Sequence, residues 1–548
     1  MTLLVISKHV LSFLLGWEAM ALSAFFLVST EDEKSGTRKS GLVYLIATHV
    51  GTLSLFGFFA LWRAFTGSFD LVPAAPGSIS AAAANILLAA GFFGFGLKAG
   101  VMPLHFWLPG AHANAPSHVS ALLSGVMLKM GVYGIVRTIS LVPDIAPFWG
   151  WAVLFAGASS GVLGIVFALG QKDFKRLLAY SSIENIGIIL LGLGLALLGR
   201  VYHRQDWIVL GLGGCLLHVW NHSLFKPLLF LGAGAVMHAT GTRQIDELGA
   251  LARKMPKTAL LFLTGSAAIC ALPPLNGFVS EFMLYLGFFG SALSVERISA
   301  IMLLGAPVLA MIGALAVSCF VKLYSAVFLG EPRTESAMHA HEASATMLVP
   351  MALLALLCVI VALFPALTVP FLDRAISAVQ ASVPFTAQAM PLSSLVPFGI
   401  LGRAMAISVG AMLLLGFVFF FYKKRMERKA GTWDCGFVKP DARIQYTGSS
   451  FTRSLTALFR GVLKPREQSP VISGLFPRTS SLESRVDDPV LDRHLIPGST
   501  FIRKKLRWFY RFQHGETHLY LLYVVAALSL LLATLIPYRA IFLFLFAR

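Results

Sequence analysis

The sequence predicts an all-α fold: a polytopic membrane helix bundle of about 12 transmembrane helices, built as inverted repeats with two discontinuous helices. Three observations predict it. The 548 residues are 57% hydrophobic and only 13% charged. Apolar runs of about 20 residues, enough to cross a hydrocarbon core about 30 Å thick, recur along the whole chain. The third and eighth of these runs are each interrupted by proline and glycine beside a buried ionisable residue, and an odd separation sets related repeats in opposite directions across the membrane.

In order, the spans fall at roughly 1–28, 41–62, 82–106, 115–139, 147–169, 177–199, 207–238, 257–289, 300–328, 345–370, 395–422 and 518–546. They divide into an antiporter-like stretch at 1–330, additional membrane helices at 331–424, a basic segment at 425–516 and a C-terminal anchor at 517–548. The net charge of +18 lies mostly beside or between the spans, so it reads as membrane topology and not as a nucleic-acid footprint. Eleven Lys and Arg fall in the loops after spans one, five, seven and nine, against about six on the other side. The basic loops are therefore expected in the cytoplasm, together with the KKRMERK run at 423–429, and both termini outside. Met1 begins inside a span with no signal-peptide pattern, so helices upstream of the first span are expected to be missing.

The polar residues inside the spans carry the chemistry, because a lysine at the helix centre costs about 2.5–3.5 kcal/mol on insertion scales. In span one, Glu18 either packs near an interface or pairs with a buried cation, and Lys98 is the candidate cation. Separating such a pair would release the lysine's proton. Lys98 precedes Gly100 and Pro103, and an interior proline frees a backbone carbonyl. His105 and His112 follow in PLHFWLPGAHANAP, where hydrogen bonding in a tight turn is expected over proton carrying. Lys129 lies in LLSGVMLKMGVYGIVR among small residues that permit close helix packing, with snorkelling to the headgroups as its bland alternative.

Span seven places His218, His222 and Lys226 at i, i+4 and i+8, which stacks three ionisable groups on one helix face. A proton relay, a metal or haem site and structural hydrogen bonding all fit that pattern; no matching acidic or histidine ligands lie nearby in sequence. Span eight is broken at Pro273, Pro274, Asn276 and Gly277 and then presents Glu281. In span six, Ser181 and Ser182 of AYSSIENIG are expected to line a wet path.

The stretches KAGVMPLHFWLPGAHANAPSHVSALLSGVMLKMGVYG, FKRLLAYSSIENIGII, HVWNHSLFKPLLFLGAGAVMH and LPPLNGFVSEFML resemble the antiporter-like proton-pumping subunits shared by respiratory complex I, Mrp cation/proton antiporters and energy-converting nickel-iron hydrogenases. The resemblance covers about residues 10–330. It implies two inverted five-helix repeats and a set of roles: Glu18 and Lys98 as an ion-paired input switch, Lys129 as a bridging lysine, His218, His222 and Lys226 as the central relay, and Glu281 as the exit group. A WDCG motif followed by QYTGSSF resembles the large membrane subunit of formate-hydrogenlyase and hydrogenase-4 type complexes. Residues 449–465 space Phe451, Leu455, Leu458, Phe459 and Leu463 helically between basic residues, as an amphipathic helix on the membrane or on a neighbouring subunit would. Residues 466–500 read as a loop.

The five cysteines, Cys215, Cys270, Cys319, Cys358 and Cys435, are dispersed, so no iron-sulfur or zinc site, and no cofactor, is expected in this chain. The resemblance then implies a proton-translocating subunit of a bacterial or archaeal inner-membrane oxidoreductase complex. Its partners would be other membrane-arm subunits, a hydrogenase-like or complex I-like redox arm and the lipid bilayer. Two rival readings stand beside it: a Mrp-type sodium/proton antiporter subunit, and a relic that no longer pumps.

Overall fold

A computed structural model describes residues 1–290, 297–380, 390–426, 445–468, 483–512 and 515–534. The chain divides into two units, Met1–Asp487 and Asp488–Arg548. The long helices of the first unit are α1 (Val10–Val28), α2 (Ser35–Thr66), α3 (Ala81–Ala99), α4 (Ser117–Leu141), α5 (Pro147–Leu169), α6 (Phe174–Val201) and α7 (Gln205–Thr240). They continue with α8a (Pro256–Ile269), α8b (Asn276–Gly290), α9 (Gly305–Phe328), α10 (Ala345–Leu363) and α11 (Phe398–Met426). The second unit holds a helix at Ile496–Lys505 and α12 (Thr517–Thr534).

Ten of the described helices are long and apolar enough to cross a membrane. The remaining expected spans are the broken α8a–α8b pair, whose halves are individually short, and α12. The all-α, multi-pass architecture is therefore as the sequence predicts. Among the described residues its one departure in named strands is a short antiparallel ribbon, Arg466–Gln468 against Glu483–Arg485. The loop expected to run to residue 500 gives way to the helix at Ile496–Lys505, which opens with Pro497, a residue suited to a first turn, and closes on Arg503, Lys504 and Lys505. Cys435 and the WDCG motif lie outside the described residues.

Local signals set the helix ends. The Ser80 hydroxyl accepts from Ala83 N–H at the start of α3, and Asp173 accepts from Arg176 N–H at the start of α6. Helices α2, α3 and α7 each end on a left-handed glycine: Gly67, Gly100 and Gly241.

Helix α6 forms the core, with its apolar window buried throughout. It packs on α5 along glycines, where a Cβ on Gly187 would lie 2.2 Å from Gly161 N. Only glycine permits that approach, the small-residue packing expected where both surfaces are apolar. On its other side α6 meets α7, which packs in turn on α8b. Residues 448–463 form two short helices, Gly448–Leu458 and Arg460–Leu463. Leu455 and Phe459 pack against this chain's own core and Leu463 is buried, while Leu458 is exposed.

Candidate functional site

Helix α3 ends on Gly100 at φ 78°, which puts Lys98 in its last turn, where unsatisfied carbonyls favour a cation. Lys98 is 2% exposed. Its Nζ donates to Tyr44 Oη at 2.8 Å and lies 4.9 Å and 5.9 Å from the ring centroids of Tyr44 and Trp17. Tyr44 Oη in turn donates to Ala21 O at 3.2 Å. The Leu97 carbonyl, freed by the break, accepts from the Trp107 indole at 2.8 Å.

The expected Glu18–Lys98 ion pair is not made. Trp17 and Glu18 are consecutive on α1, so their side chains project about 100° apart. Trp17 takes the place beside the ammonium, pinned by its own hydrogen bond to Thr52 Oγ1 at 3.2 Å. Glu18 Oε1 is buried without a hydrogen-bond partner and acts on Lys98 through the electrostatic field alone.

Lys129, 4% exposed, follows a π-helical turn at Leu123–Met127 within α4. There Leu128 N–H reaches back to Leu123 O, one residue further than in an α-helix. Lys129 Nζ bonds Ser124 O and His222 Nδ1. The opposite helix is irregular at the same level: Pro227 interrupts α7, and a Cβ on Gly125 would lie 2.5 Å from Pro227 Cγ. Snorkelling is thereby ruled out for Lys129, whose ammonium is held inside the bundle.

His218, His222 and Lys226 share a face of α7, as their spacing requires, yet none bonds another. His222 faces Lys129 on α4. Lys226, fully buried, donates to Ser181 Oγ on α6 at 2.6 Å. His218 Nε2 lies 3.1 Å from Asn185 Oδ1 and its Nδ1 3.0 Å from Ser280 Oγ on α8b. The Phe225 ring stands beside both histidines, 6.3 Å and 5.4 Å from their centroids. At the α8 break, Asn221 Nδ2 donates to Asn276 O at 2.7 Å and Asn276 Nδ2 returns a bond to Asn221 Oδ1 at 3.1 Å. Glu281, 5% exposed, follows Ser280 directly. The seven expected residues thus lie along five helix contacts: α1 with α3, α2 with α3, α4 with α7, α6 with α7, and α7 with α8b.

Several polar residues escaped the sequence reading. Tyr44 had no intramembrane charge to flag it. Glu184 did, since it stands in the apolar run of α6, but the serines beside it drew the reading; it is fully buried, its Oε2 accepting from Asn185 Nδ2 at 3.2 Å and its Oε1 unpartnered. Lys322 on α9 is buried and donates to Leu169 O at 2.7 Å and Gln171 O at 2.8 Å, closing the end of α5. His112 departs from its expected role as a turn hydrogen-bonder: it is buried, stacked on Phe230, and both ring nitrogens lack a partner. Among the described residues, no group of three or more His, Cys, Asp or Glu is placed to hold a metal.

The loops counted as basic meet on one face. Phe174 N–H donates to Arg243 O, Ile245 N–H to Lys172 O and Ala250 N–H to Leu329 O, while Arg243 pairs with Asp173 at 2.7 Å. A cavity of about 890 Å³ opens there, lined by Lys34, His118, Lys175, His238, Arg243 and Glu247 among others. It reaches Ala113–Ser117, the segment directly after His112. Lys175 Nζ donates to Ala115 O at its wall.

The family described as NADH:quinone oxidoreductase/Mrp antiporter, TM, matches residues 7–309. The chain is 37% identical to Hydrogenase-4 component B of Escherichia coli (strain K12), over 97% of this chain and 81% of that protein. It is likewise 37% identical to Formate hydrogenlyase subunit 3 of the same organism, over 84% of this chain and 74% of that one. Its fold is similar to a chain in the structure of the membrane-bound sulfane sulfur reductase, an archaeal respiratory membrane complex. The TM-score is 0.70 at 22% identity, covering 96% of this chain and 81% of that one.

Proposed function

The chain belongs to the NADH:quinone oxidoreductase/Mrp antiporter transmembrane family, and from that membership we propose that it is a proton-translocating membrane-arm subunit of a respiratory or hydrogenase oxidoreductase complex. One observation supports this most directly: a band of buried lysines, histidines and carboxylates runs inside the bundle from the break after α3 to the break before α8b. Buried charges of this kind are expensive and mark ion paths.

Protons enter from the basic face, taken as cytoplasmic, through the cavity that ends beside His112. Lys129 and His222 receive them where α4 and α7 are both irregular, His218 and Lys226 carry them on, and Glu281 releases them outward. Between groups that do not touch, ordered water carries the proton. Lys98, held by Tyr44 and in the field of Glu18, is the group whose rearrangement couples this movement to redox turnover. Electron transfer takes place in partner subunits. The chain sits in a bacterial or archaeal inner membrane. The rival reading, a Mrp-type sodium/proton antiporter subunit, needs no redox partner; the two hydrogenase and formate hydrogenlyase relatives, matched over most of their length, favour the first.

The test is Lys98→Ala and, separately, Glu281→Gln in the complete complex reconstituted into vesicles, with internal pH read during redox turnover. Proton uptake is expected to fall on the order of 100-fold in each. Wild-type uptake in both refutes the reading. Uptake that persists without redox turnover and follows a sodium gradient supports the antiporter instead.

A further inference from the structure

The buried ionisable residues recur at intervals of five spans: Glu18 on α1 and Glu184 on α6, Lys98 on α3 and Glu281 on α8b, Lys129 on α4 and Lys322 on α9. Five of these six residues are buried and Glu18 is half-buried with a buried oxygen. In the second set Lys322 is fully engaged, since two carbonyls take its ammonium. Glu184 is not. One of its oxygens accepts from the neighbouring Asn185 and the other has no partner, in the most buried helix of the fold. A buried carboxyl left half-satisfied forfeits hydrogen bonds that a serine or leucine there would not need.

We propose that Glu184 is the carboxyl counterpart of Glu18 in the second half of the fold, a proton-carrying group between Lys226 and Glu281. This rests on the proton-translocation reading and adds a residue to it. The surroundings fit. The charges of Lys226 and Glu281 both act on Glu184. Lys226 donates to Ser181 Oγ one turn before Glu184, and Asn185 Nδ2 donates both to Ser181 O at 2.8 Å and to Glu184 Oε2. With the amide nitrogen committed twice, Asn185 Oδ1 is the acceptor toward His218, whose Nε2 therefore carries a hydrogen. Asn185 thus orients both the carboxyl and the imidazole without itself exchanging a proton.

In the forward step an N–H bond of the Lys226 ammonium breaks and an O–H bond forms on the Glu184 carboxylate, leaving an amine and a carboxylic acid. The acid then gives that proton to the Glu281 carboxylate, and Glu184 returns to its charged form. No electrons move. The titratable groups facing Glu184 are Lys226 and His218 on α7, Glu281 on α8b, Cys319 on α9 and Cys270 at the end of α8a. Helix α5 brings Gly161 and Gly164 against the Glu184 backbone.

The experiment compares Glu184→Gln and Glu184→Asp in the full complex in vesicles, with assembly checked on native gels. The amide variant is expected to lose proton uptake per turnover on the order of 100-fold, and the acid variant to keep pumping with a displaced pH profile. Wild-type pumping by Glu184→Gln overturns the proposal. Should the amide variant fail to assemble, the acid variant decides: a pH profile unmoved from wild type overturns the proposal, because a purely structural carboxyl would leave it in place. If Lys98→Ala and Glu281→Gln also pump normally, the proton-translocation reading falls; if only Glu184→Gln does, that reading stands and Glu184 alone is removed from it.

Discussion

Tyr44→Phe tests a contact on which the geometry and the sequence reading disagree. The change deletes a hydroxyl and nothing else. Lys98 then keeps the two aromatic faces but loses its 2.8 Å acceptor, while buried at 2% exposure. A hydrogen bond to a charged group contributes about 1.5–3 kcal/mol net, and an orphaned buried donor bears its desolvation as well. At about 1.4 kcal/mol per factor of ten, the arrangement that holds the ammonium beside α2 weakens roughly 10- to 150-fold relative to any alternative. The assay pairs thermal unfolding of the purified complex with proton uptake in vesicles, for Tyr44→Phe and Glu18→Gln side by side. Tyr44→Phe is expected to lower the unfolding temperature and to uncouple uptake from redox turnover. Glu18→Gln, which removes only a field and no contact, is expected to leave stability nearly unchanged while altering uptake. A Tyr44→Phe protein as stable and as active as wild type refutes the reasoning, and so does a Glu18→Gln protein destabilised more than Tyr44→Phe.

Two further outcomes follow from the packing. Gly125→Ala drives a Cβ to 2.5 Å from Pro227 Cγ, an overpacking expected to cost about 1–3 kcal/mol, and it is expected to part α4 from α7 and slow uptake; unchanged thermal unfolding counts against the contact. Glu342 accepts from Thr258 Oγ1 and from the Lys257 and Ala343 N–H groups; partial burial raises its carboxyl, but these hydrogen bonds outweigh that and hold it below the usual carboxylate range. Since the folded form is the better acid, its contribution is present above the usual carboxylate pKa and is lost as pH falls through the lower folded value. Glu342→Ala should therefore lower stability at neutral pH by about 1 kcal/mol, the worth of a helix cap, and converge with wild type in strong acid, as melts across pH would show.

Much of the fold is legible because the membrane imposes it. Helix lengths, the proline and glycine breaks after Lys98 and before Glu281, and the face shared by His218, His222 and Lys226 all follow from spacing along one chain. Partners do not. Nothing in the spacing of Trp17, Glu18 and Tyr44 says which of them meets Lys98, because that depends on how α1 and α2 rotate against α3. The same limit applies on α7: an i, i+4, i+8 face suggests three groups bonded in series, whereas the structure gives each a different neighbour. The π-turn before Lys129 is a tertiary effect as well, set where Gly125 meets Pro227. Glu184 was readable by the rule that marked Glu18, and only its position five spans later gives it a role.

Four charged groups along the path sit where the backbone leaves the α-helix. Lys98 lies in the last turn before Gly100, Lys129 just past the π-turn, Lys226 directly before Pro227, and Glu281 in the second turn after the gap between α8a and α8b. Each departure releases carbonyls from i, i+4 bonding, and a released carbonyl in an apolar bundle needs a donor. Trp107 supplies one for Leu97 O, and Lys129 itself bonds Ser124 O. The same irregularity that makes a buried lysine tolerable therefore fixes where its ammonium rests. A lysine moved one turn along α4 would keep its charge and its helix but lose both Ser124 O and His222, so the backbone, more than the identity of the residue, decides which buried charge can pass a proton on.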